Sequence, residues 1–152
     1  MGTLHLMVGL PCSGKTTYAR KLAEETKALL LSLDAWHLIL FGDDVGHEAH
    51  DERHINIENI MWGVAKHILE LGGDVILDYG CWARAERDDY RSRAKELGVN
   101  FKLHYMDVSH SELYRRLEIR NNNPAEGSFV IPVTEMDKYI LIFQPPTEDE
   151  LK

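Results

Sequence analysis

A glycine-rich stretch near the start of the chain has the residue types and spacing of a phosphate-binding loop. Residues 9–16 read GLPCSGKT and match the pattern G-x-x-x-x-G-K-[ST]. Gly9 and Gly14 allow backbone angles that a β-carbon disfavours, so successive amides can point at phosphate oxygens. Lys15 supplies a positive charge to the β- and γ-phosphates, and the Thr16 hydroxyl is suited to bind Mg²⁺. The pattern therefore predicts a site for ATP with Mg²⁺.

The expected nucleotide contacts come from this loop and from the helix that should follow it. Such a helix adds the positive end of its dipole to the phosphate site. From this part of the chain, we expect the nucleotide to touch Gly9, Pro11, Cys12, Ser13, Gly14, Lys15, Thr16 and Thr17. Lys15 is also expected to act in catalysis, because charge on the transferred phosphoryl group must be neutralised.

Two aspartates follow apolar stretches and are expected at the sheet edge that holds the phosphate loop. Asp34 ends the stretch LSLD, and Asp78 ends VILD. The strands of a parallel sheet direct their carboxyl ends to one rim, where ligands bind. We assign Asp34 as the catalytic base that takes the acceptor's proton, and Asp78, with Thr16, to Mg²⁺ or to holding the acceptor. The two roles are exchangeable at this level.

Each aspartate also has a structural alternative. Asp34 stands where a strand meets a helix, and aspartate is a favoured helix N-cap at such junctions. Capping would not exclude catalysis. Asp78 precedes Gly80 and could instead form a turn.

A group of arginines precedes a polar segment at 121–128 that contains Pro and Gly. Arg116 and Arg120 are four residues apart and share a helix face, and Arg115 is their neighbour. Phosphoryl transfer needs cationic groups that close over the phosphates and exclude water. We therefore predict a small lid around 115–133, in which Arg116 and Arg120 bind the nucleotide and Arg120 takes part in catalysis. The alternative for each arginine is a solvated face balanced by glutamates of the same helix.

Histidines before a long helix supply candidates for an acceptor site. His47, His50 and His54 cluster there, and His50 and His54 have the i, i+4 spacing that can bind a metal. A clear third ligand is missing from the pattern, so a dedicated zinc site is not expected. We predict instead that the region faces the acceptor, through Arg53 or His54.

Tryptophans and further arginines are weaker candidates for acceptor contacts. Trp36, Trp62 and Trp82 could stack on an acceptor ring, although packing in the core is the usual role of tryptophan. Arg84 and Arg87 follow Asp78 closely and lie either at the acceptor or on the surface.

Short apolar runs and helical patterns alternate along the chain. Runs at 4–8, 28–33 and 75–77 predict strands buried on both faces, and alternation over 101–105 predicts a fourth strand. Helices should lie between them, and the longest is expected at 51–71. A stripe of apolar residues should mark its buried face: Ile57, Ile60, Met61, Val64, Ile68 and Leu71.

Local signals also predict one terminus of each of four helices, and the element order predicts the fold class. Glycines should end two helices, Gly72 and Gly98, while Ser109 with Glu112, and more loosely Thr134 with Asp137, should start two others. The order strand–helix–strand indicates a three-layer α/β fold with an open parallel sheet, of the P-loop NTPase, nucleotide-kinase-like type.

Composition restricts the class of protein. The 152 residues suit one domain spanning 1–152, with the lid as its only appendage. A net charge of −8 argues against binding nucleic acid over a broad face. No apolar run reaches the roughly 20 residues of a membrane span, and no leader is recognisable. Cys12 and Cys81 lack metal or redox spacing, so we expect free thiols in a cytoplasmic protein. We also expect a monomer or homodimer.

Several segments together carry a family resemblance. The stretches GLPCSGKTT, LSLDAW, LFGDD, VILDYGCWARAER, HYMDV and FQPPTEDE resemble small P-loop kinases labelled "AAA family ATPase" or "ATP-binding protein", over nearly the whole chain. These are similar to polynucleotide 5′-kinase, chloramphenicol phosphotransferase and zeta-toxin kinases. The resemblance implies that Asp34 matches the base of the polynucleotide kinase, Asp78 its acid after the third strand, and Arg116 and Arg120 its lid arginines. His37 stands where that kinase has an arginine for the acceptor phosphate, which argues against a nucleic-acid acceptor.

The function predicted from the sequence is an ATP- and Mg²⁺-dependent phosphotransferase acting on a hydroxyl of a small molecule, such as a nucleoside, sugar or antibiotic. One alternative is a polynucleotide 5′-hydroxyl kinase. Another is a nucleotide-binding regulator or slow NTPase without an acceptor.

Overall fold

Strands and helices alternate along the chain in the computed structural model, which describes residues 2–123 and 129–151. Within these residues the elements are β1 (Thr3–Val8), α1 (Lys15–Thr26), β2 (Leu29–Ser32), α2 (Leu33–Phe41), α3 (His50–Glu70), β3 (Val75–Asp78), α4 (Arg84–Leu97), β4 (Asn100–Tyr105), α5 (His110–Asn122) and α6 (Val133–Ile142).

The strands of the described residues form one sheet in the order β2-β3-β1-β4, and every neighbouring pair is parallel. Ser32 lies beside Asp78, and Val8 lies beside Tyr105. The carboxyl ends of the strands therefore meet along one edge of the sheet. The prediction of an open parallel α/β sheet is confirmed.

Helices cover both faces of this sheet. Leu6 of β1 belongs to a core that includes Met61 of α3 and Ala94 of α4. The next residue, Met7, belongs to a second cluster with Ala19 of α1. Because successive strand residues point to opposite faces, the two clusters lie on opposite sides of the sheet. Burial on both sides explains why the central strands are continuous apolar runs.

Helix α3 buries part of the stripe predicted for it: Ile57 and Met61 are buried, and Ile68 packs against the core. Its fully buried residues follow i, i+4 spacing: Ile57, Met61, Ala65 and Leu69. Ile60 and Leu71 are 60% and 71% exposed, so the predicted stripe was wrong at these positions, and Val64 is also exposed. Small Ala65 lets the helix approach the sheet closely, and hydrophobicity alone did not mark it as a packing position. Among the helices of the described residues, none is long and apolar enough to cross a membrane.

Two predicted helix signals had different outcomes. The Ser109 side chain accepts a hydrogen bond from the Glu112 amide at the start of α5, as predicted. Helix α6 begins after Pro132, so Thr134 does not cap it and that prediction was wrong. Asp137 instead accepts a hydrogen bond from the Tyr114 hydroxyl of α5.

Candidate active site

The phosphate loop connects β1 to α1 and has two residues in left-handed conformation. Gly14 has φ +89° and Cys12 has φ +69°. Gly9 serves a different purpose from the one predicted, since a β-carbon there would lie 2.6 Å from the Ser13 hydroxyl. The Gly9 carbonyl accepts a hydrogen bond from the Trp82 indole at 3.1 Å. Close packing, rather than an unusual backbone angle, therefore requires glycine at position 9.

A cavity of about 370 Å³ opens above this loop. Residues 11–17 line it, together with Asp34, Asp78, Arg116 and Arg120. All the residues predicted for the nucleotide site except Gly9 thus lie around one cavity. The Ser13 hydroxyl is buried and has no hydrogen-bond partner among the described residues, which fits a loop shaped to receive phosphate oxygens.

Asp78 and Thr16 are joined directly. The Thr16 hydroxyl donates to Asp78 Oδ2 at 2.8 Å, and the Ser32 hydroxyl donates to the same oxygen at 3.1 Å. Asp78 ends β3 and is 7% exposed. These side chains offer the hard oxygen ligands that Mg²⁺ prefers, and the Thr16 oxygen keeps a lone pair for a cation while donating its proton.

Asp34 lies on α2 rather than at the end of a strand. Strand β2 ends at Ser32, which occupies the N-cap position, so the N-cap alternative for Asp34 was wrong. Position 34 falls in the first turn of the helix, and its side chain is 53% exposed. The carboxylate faces the nucleotide cavity.

Helix α5 directs two of its three predicted arginines at the phosphate loop. Arg116 donates to the Cys12 carbonyl at 3.1 Å, and Arg120 donates to Cys12 Sγ at 3.5 Å and to the Phe129 carbonyl at 2.9 Å. Arg120 Nε is buried without a partner among the described residues. Arg115 instead pairs with Glu112 in solvent. Residues 124–128 of the predicted lid lie outside the described residues.

A second cavity, of about 200 Å³, adjoins the first. The two share Pro11, Lys15 and Asp34. Its other lining residues include aromatic side chains and members of the histidine region: Trp82, Phe129, Tyr139, His50, Asp51 and His54. Of the three tryptophans considered, Trp82 reaches this cavity, while Trp36 and Trp62 pack against the core.

A hydrogen-bonded histidine cluster adjoins the second cavity, which His50 and His54 line. His37 Nε2 and His50 Nδ1 lie 2.6 and 2.5 Å from Asp44 Oδ1, and Arg53 donates to Asp44 Oδ2 at 2.9 Å. His37 Nδ1 lies 2.8 Å from His54 Nδ1. Sequence reasoning missed Asp44 entirely, because one aspartate in the run FGDD has no periodic or spacing signal.

The cluster has strong electrostatic consequences. Burial would raise the pKa of Asp44, but hydrogen bonds from His50, Arg53 and His37 outweigh it and hold the pKa well below its usual range. Burial lowers the pKa of His54 to about 4. Arg53 is engaged with Asp44, so of the two residues predicted for the acceptor, His54 is the one that lines the cavity.

Neither arginine after Asp78 reaches an acceptor position. Arg87 is buried and binds Glu150 at 2.7 Å, along with the Cys81 and Trp82 carbonyls. Arg84 pairs with Asp149 on the surface. Arg84 thus fits the surface alternative predicted for it, while both arginines hold the C-terminal segment and neither lines the two cavities.

The chain was compared with family models and with curated proteins. Residues 4–146 match the sequence model of a family described as an AAA domain. No curated protein matches the chain.

Several solved structures share the fold. The Pnkp1/Rnl/Hen1 RNA repair complex aligns with TM-score 0.75 and 25% identity, over 93% of this chain and 43% of that chain. This chain thus spans less than half of that relative. Chaetomium thermophilum Kti12 in complex with ADP-AlF3 aligns with TM-score 0.72 and 20% identity, over 95% and 81%. A gluconokinase from Sinorhizobium meliloti 1021 aligns with TM-score 0.68 and 19% identity, over 97% and 78%.

Proposed function

The chain belongs to the AAA domain family and is similar to P-loop kinases, and on that premise we propose that it is an ATP- and Mg²⁺-dependent phosphotransferase. It moves the γ-phosphoryl group of ATP to a hydroxyl of a small molecule. Residues 1–152 act as one domain, and arginines of the segment 115–133 serve as its lid.

One observation carries this proposal: Lys15 and Asp34 line both cavities. A triphosphate held by the loop would end at Lys15, and an acceptor in the second cavity would approach the same point. Two adjoining cavities that share Lys15 and Asp34 can hold two molecules with their reacting groups close together. This arrangement suits transfer of a phosphoryl group between two bound molecules better than it suits hydrolysis of ATP alone.

The residues divide the work of phosphoryl transfer. Thr16 and Asp78 would hold Mg²⁺, which supplies charge neutralisation and orients the phosphates when bound. Asp34 accepts the proton of the acceptor hydroxyl, which must be lost as the new O–P bond forms. Lys15 and Arg120 offset charge on the transferred group, and Arg116 holds the loop and the nucleotide.

The second cavity supports an uncharged, ring-bearing acceptor. Trp82 and Tyr139 pack with ring centroids 4.7 Å apart and offer an aromatic wall. Asp34 and Asp51 bring negative charge, and among the described lining residues Lys15 alone is a fixed cation. Asp34 and Asp51 would repel a phosphorylated acceptor, whereas they would not repel an uncharged nucleoside, sugar or hydroxylated antibiotic.

The 25% identity to the Pnkp1 complex favours a second candidate, a polynucleotide 5′-hydroxyl kinase. His37 counts against it. Its side chain is fully buried in the histidine cluster, so it does not offer a positive group to an acceptor phosphate. A nucleotide-binding regulator or slow NTPase is a third candidate.

Release of ADP from Mg-ATP distinguishes these functions. We expect slow release with ATP alone and at least about tenfold stimulation by one class in a panel of nucleosides, sugars and hydroxylated antibiotics, with phosphorylated product detected by mass spectrometry. Stimulation by single-stranded oligonucleotides alone would support the polynucleotide kinase. No stimulation by any compound would support the regulator or NTPase.

A further inference from the structure

Two histidines, His54 and His37, lie between the proposed base Asp34 and the buried carboxylate of Asp44. From Asp34, the path runs to His54 Nε2 at 3.5 Å, from His54 Nδ1 to His37 Nδ1 at 2.8 Å, and from His37 Nε2 to Asp44 Oδ1 at 2.6 Å. Its outer end is solvent-accessible at Asp34, and its inner end is closed, with the Asp44 side chain 8% and that of His37 0% exposed.

Asp44 determines which ring nitrogens of His37 and His50 carry protons. Its Oδ1 lies at hydrogen-bond distance from His37 and His50, and its Oδ2 from Arg53. A carboxylate accepts and cannot donate, so His37 Nε2 and His50 Nδ1 both carry protons. Arg53 already neutralises Asp44, so the resting cluster needs no further positive charge on His37.

The direction of the remaining bonds follows. A neutral His37 with its proton on Nε2 has a lone pair on Nδ1, so His54 must donate from its own Nδ1. Neutral His54 then has a lone pair on Nε2, directed at the Asp34 carboxylate. The 3.5 Å separation there exceeds hydrogen-bond length, as expected when neither atom carries a proton.

We propose that His54 and His37 form a proton relay that carries the acceptor's proton from Asp34 toward Asp44. The inference rests on the proposed function, in which Asp34 is the base. The acceptor hydroxyl loses its proton to Asp34 as its oxygen bonds to phosphorus, and the O–P bond to ADP breaks. Asp34 passes that proton to His54 Nε2, and His54 releases its Nδ1 proton to His37 Nδ1.

After the transfer, the histidine cluster holds one additional proton. His54 is again neutral, with its proton now on Nε2, where it can donate to the regenerated Asp34 carboxylate. The added positive charge resides on His37, beside the Asp44 carboxylate. The Asp44 carboxylate offsets part of the cost of holding this transient charge in a buried site. Asp34 is thereby restored as a carboxylate before the phosphorylated product leaves. The proton then returns through His37 and His54 and passes to solvent from the exposed Asp34.

A metal ion is the competing explanation for the convergence of His37, Asp44 and His50. Two ligands of a tetrahedral zinc, each at about 2.0–2.1 Å, lie roughly 3.3 Å apart. The nitrogen–oxygen distances of 2.5 and 2.6 Å in this cluster are those of hydrogen bonds. The Arg53 guanidinium on Asp44 also disfavours a cation there.

Kinetics of His54→Asn test the relay. Asparagine can still donate to His37 but has no basic nitrogen facing Asp34. We expect kcat for acceptor phosphorylation to fall about 10- to 100-fold, with KM for ATP within about threefold. His67→Asn, on the exposed side of the same helix α3, is the matched control and should behave as wild type.

A double variant tests the whole path. Asp44→Asn keeps the shape and an acceptor oxygen but removes the charge that stabilises protonated His37. Its kcat should fall by a similar factor, and combining it with His54→Asn should cost little more, because both interrupt one path. Thermal melting confirms that each variant is folded. Full additivity, or His54→Asn as active as His67→Asn, would overturn the relay.

Nitrogen-15 NMR of the histidines tests the same inference without turnover. At neutral pH we expect His54 to be uncharged with its proton on Nδ1, and His37 to carry its proton on Nε2. A His54 Nε2–H tautomer, or zinc found with the purified protein by mass spectrometry, would overturn the relay while leaving the kinase proposal intact. Absence of phosphorylated product with every acceptor would instead overturn the kinase proposal.

Discussion

At the scale of single residues, the site depends on charges placed at the junction of two cavities. Lys15 and Asp34 form that junction, while Asp78 is set deeper and is held by the hydroxyls of Thr16 and Ser32. The two aspartates are thus distinguished by their surroundings. The exposed one is free to meet an acceptor, and the buried one is already fixed beside the phosphate loop.

Replacing Lys15 with alanine should abolish turnover and weaken binding of Mg-ATP about 10- to 100-fold. A charged hydrogen bond to phosphate contributes on the order of 1.5–3 kcal/mol. Isothermal titration calorimetry measures the affinity, and Lys21→Ala, exposed on the same helix, is the control. Wild-type affinity in the Lys15 variant would contradict a nucleotide seated in this loop.

Asp34→Asn should reduce phosphoryl transfer by about 10²- to 10⁴-fold, because an amide cannot take the acceptor's proton. ATP affinity should stay within a few-fold, since the side chain is not part of the phosphate loop. Initial rates with the best acceptor provide the measurement. Asp88→Asn, whose side chain is equally exposed at 53%, should remain active. A fully active Asp34 variant would exclude it as the base.

At the scale of elements, helix α5 brings cations to the phosphate loop, and helix α3 brings His50, Asp51 and His54 to the second cavity, the proposed acceptor site. Spacing on α5 directs Arg116 and Arg120 to the phosphate loop and leaves Arg115 in solvent. His54, on the first turns of α3, reaches across to Asp34 on α2. The catalytic groups therefore depend on how helices pack, not on any one loop.

Arg120→Ala should lower kcat about 100-fold, since one preorganised donor to the transferred group typically contributes that much. Arg115→Ala on the same helix should change kcat less than twofold, because Arg115 is exposed and its ion pair with Glu112 is screened by solvent. Steady-state rates compare the two variants. Because Arg120 also binds the Phe129 carbonyl, melting curves must accompany them. Equal effects of the two substitutions would refute a specific role for Arg120.

Glu58 of α3, which lies near Glu86 and Arg93 of α4, should make the free energy of unfolding depend on pH. Burial, and then the charge of Glu86, raise the pKa of Glu58 to about 7 against the opposing effect of Arg93. The unfolded chain ionises this group near pH 4.3, so the folded state loses relative stability as pH rises from about 4 to 7.

Glu58→Gln should remove this loss. We expect the variant to be more stable than wild type at pH 8 by roughly 1–2 kcal/mol and nearly equal to it at pH 4.5. Urea unfolding at both pH values measures the difference. A stability gain that is the same at both would mean that Glu58 titrates normally.

At the scale of the whole molecule, hydrogen bonds connect the C-terminal segment to the loop that follows β3. Glu150 is 3% exposed and binds Arg87 of α4, which also binds the Cys81 and Trp82 carbonyls. The Gln144 amide donates to the Trp82 carbonyl. Trp82 lines the second cavity, so this distant segment supports the acceptor side of the site.

Glu150→Ala should destabilise the protein by about 3–5 kcal/mol, because it leaves the buried Arg87 unpaired. The Arg87 hydrogen bond lowers the pKa of Glu150 in the folded protein. The stabilisation is therefore fully present above the pKa that Glu150 has in the unfolded chain, and it is lost as the pH falls through the lower pKa of the folded state. Guanidinium unfolding at pH 7 measures it, with the exposed Glu148→Ala as control. A change below about 1 kcal/mol would show that water replaces the lost partner.

Short-range sequence patterns were sufficient to predict features whose residues are close together in the chain. The phosphate loop, the strand before it and the helix after it are contiguous, and the cap at Ser109 lies three residues from its partner. Asp34 and Asp78 were identified because parallel strands end at one edge, a consequence of topology that needs no side-chain detail.

The pairing of side chains that are far apart in the chain could be read from the folded protein but not from sequence patterns. Arg87 with Glu150, and Asp44 with His37 and His54, have no fixed spacing, and the buried face of α3 depends on what packs against it. A histidine's role follows from the donors and acceptors around its two nitrogens. Those neighbours come from three parts of the chain, so they become known when the fold brings them together.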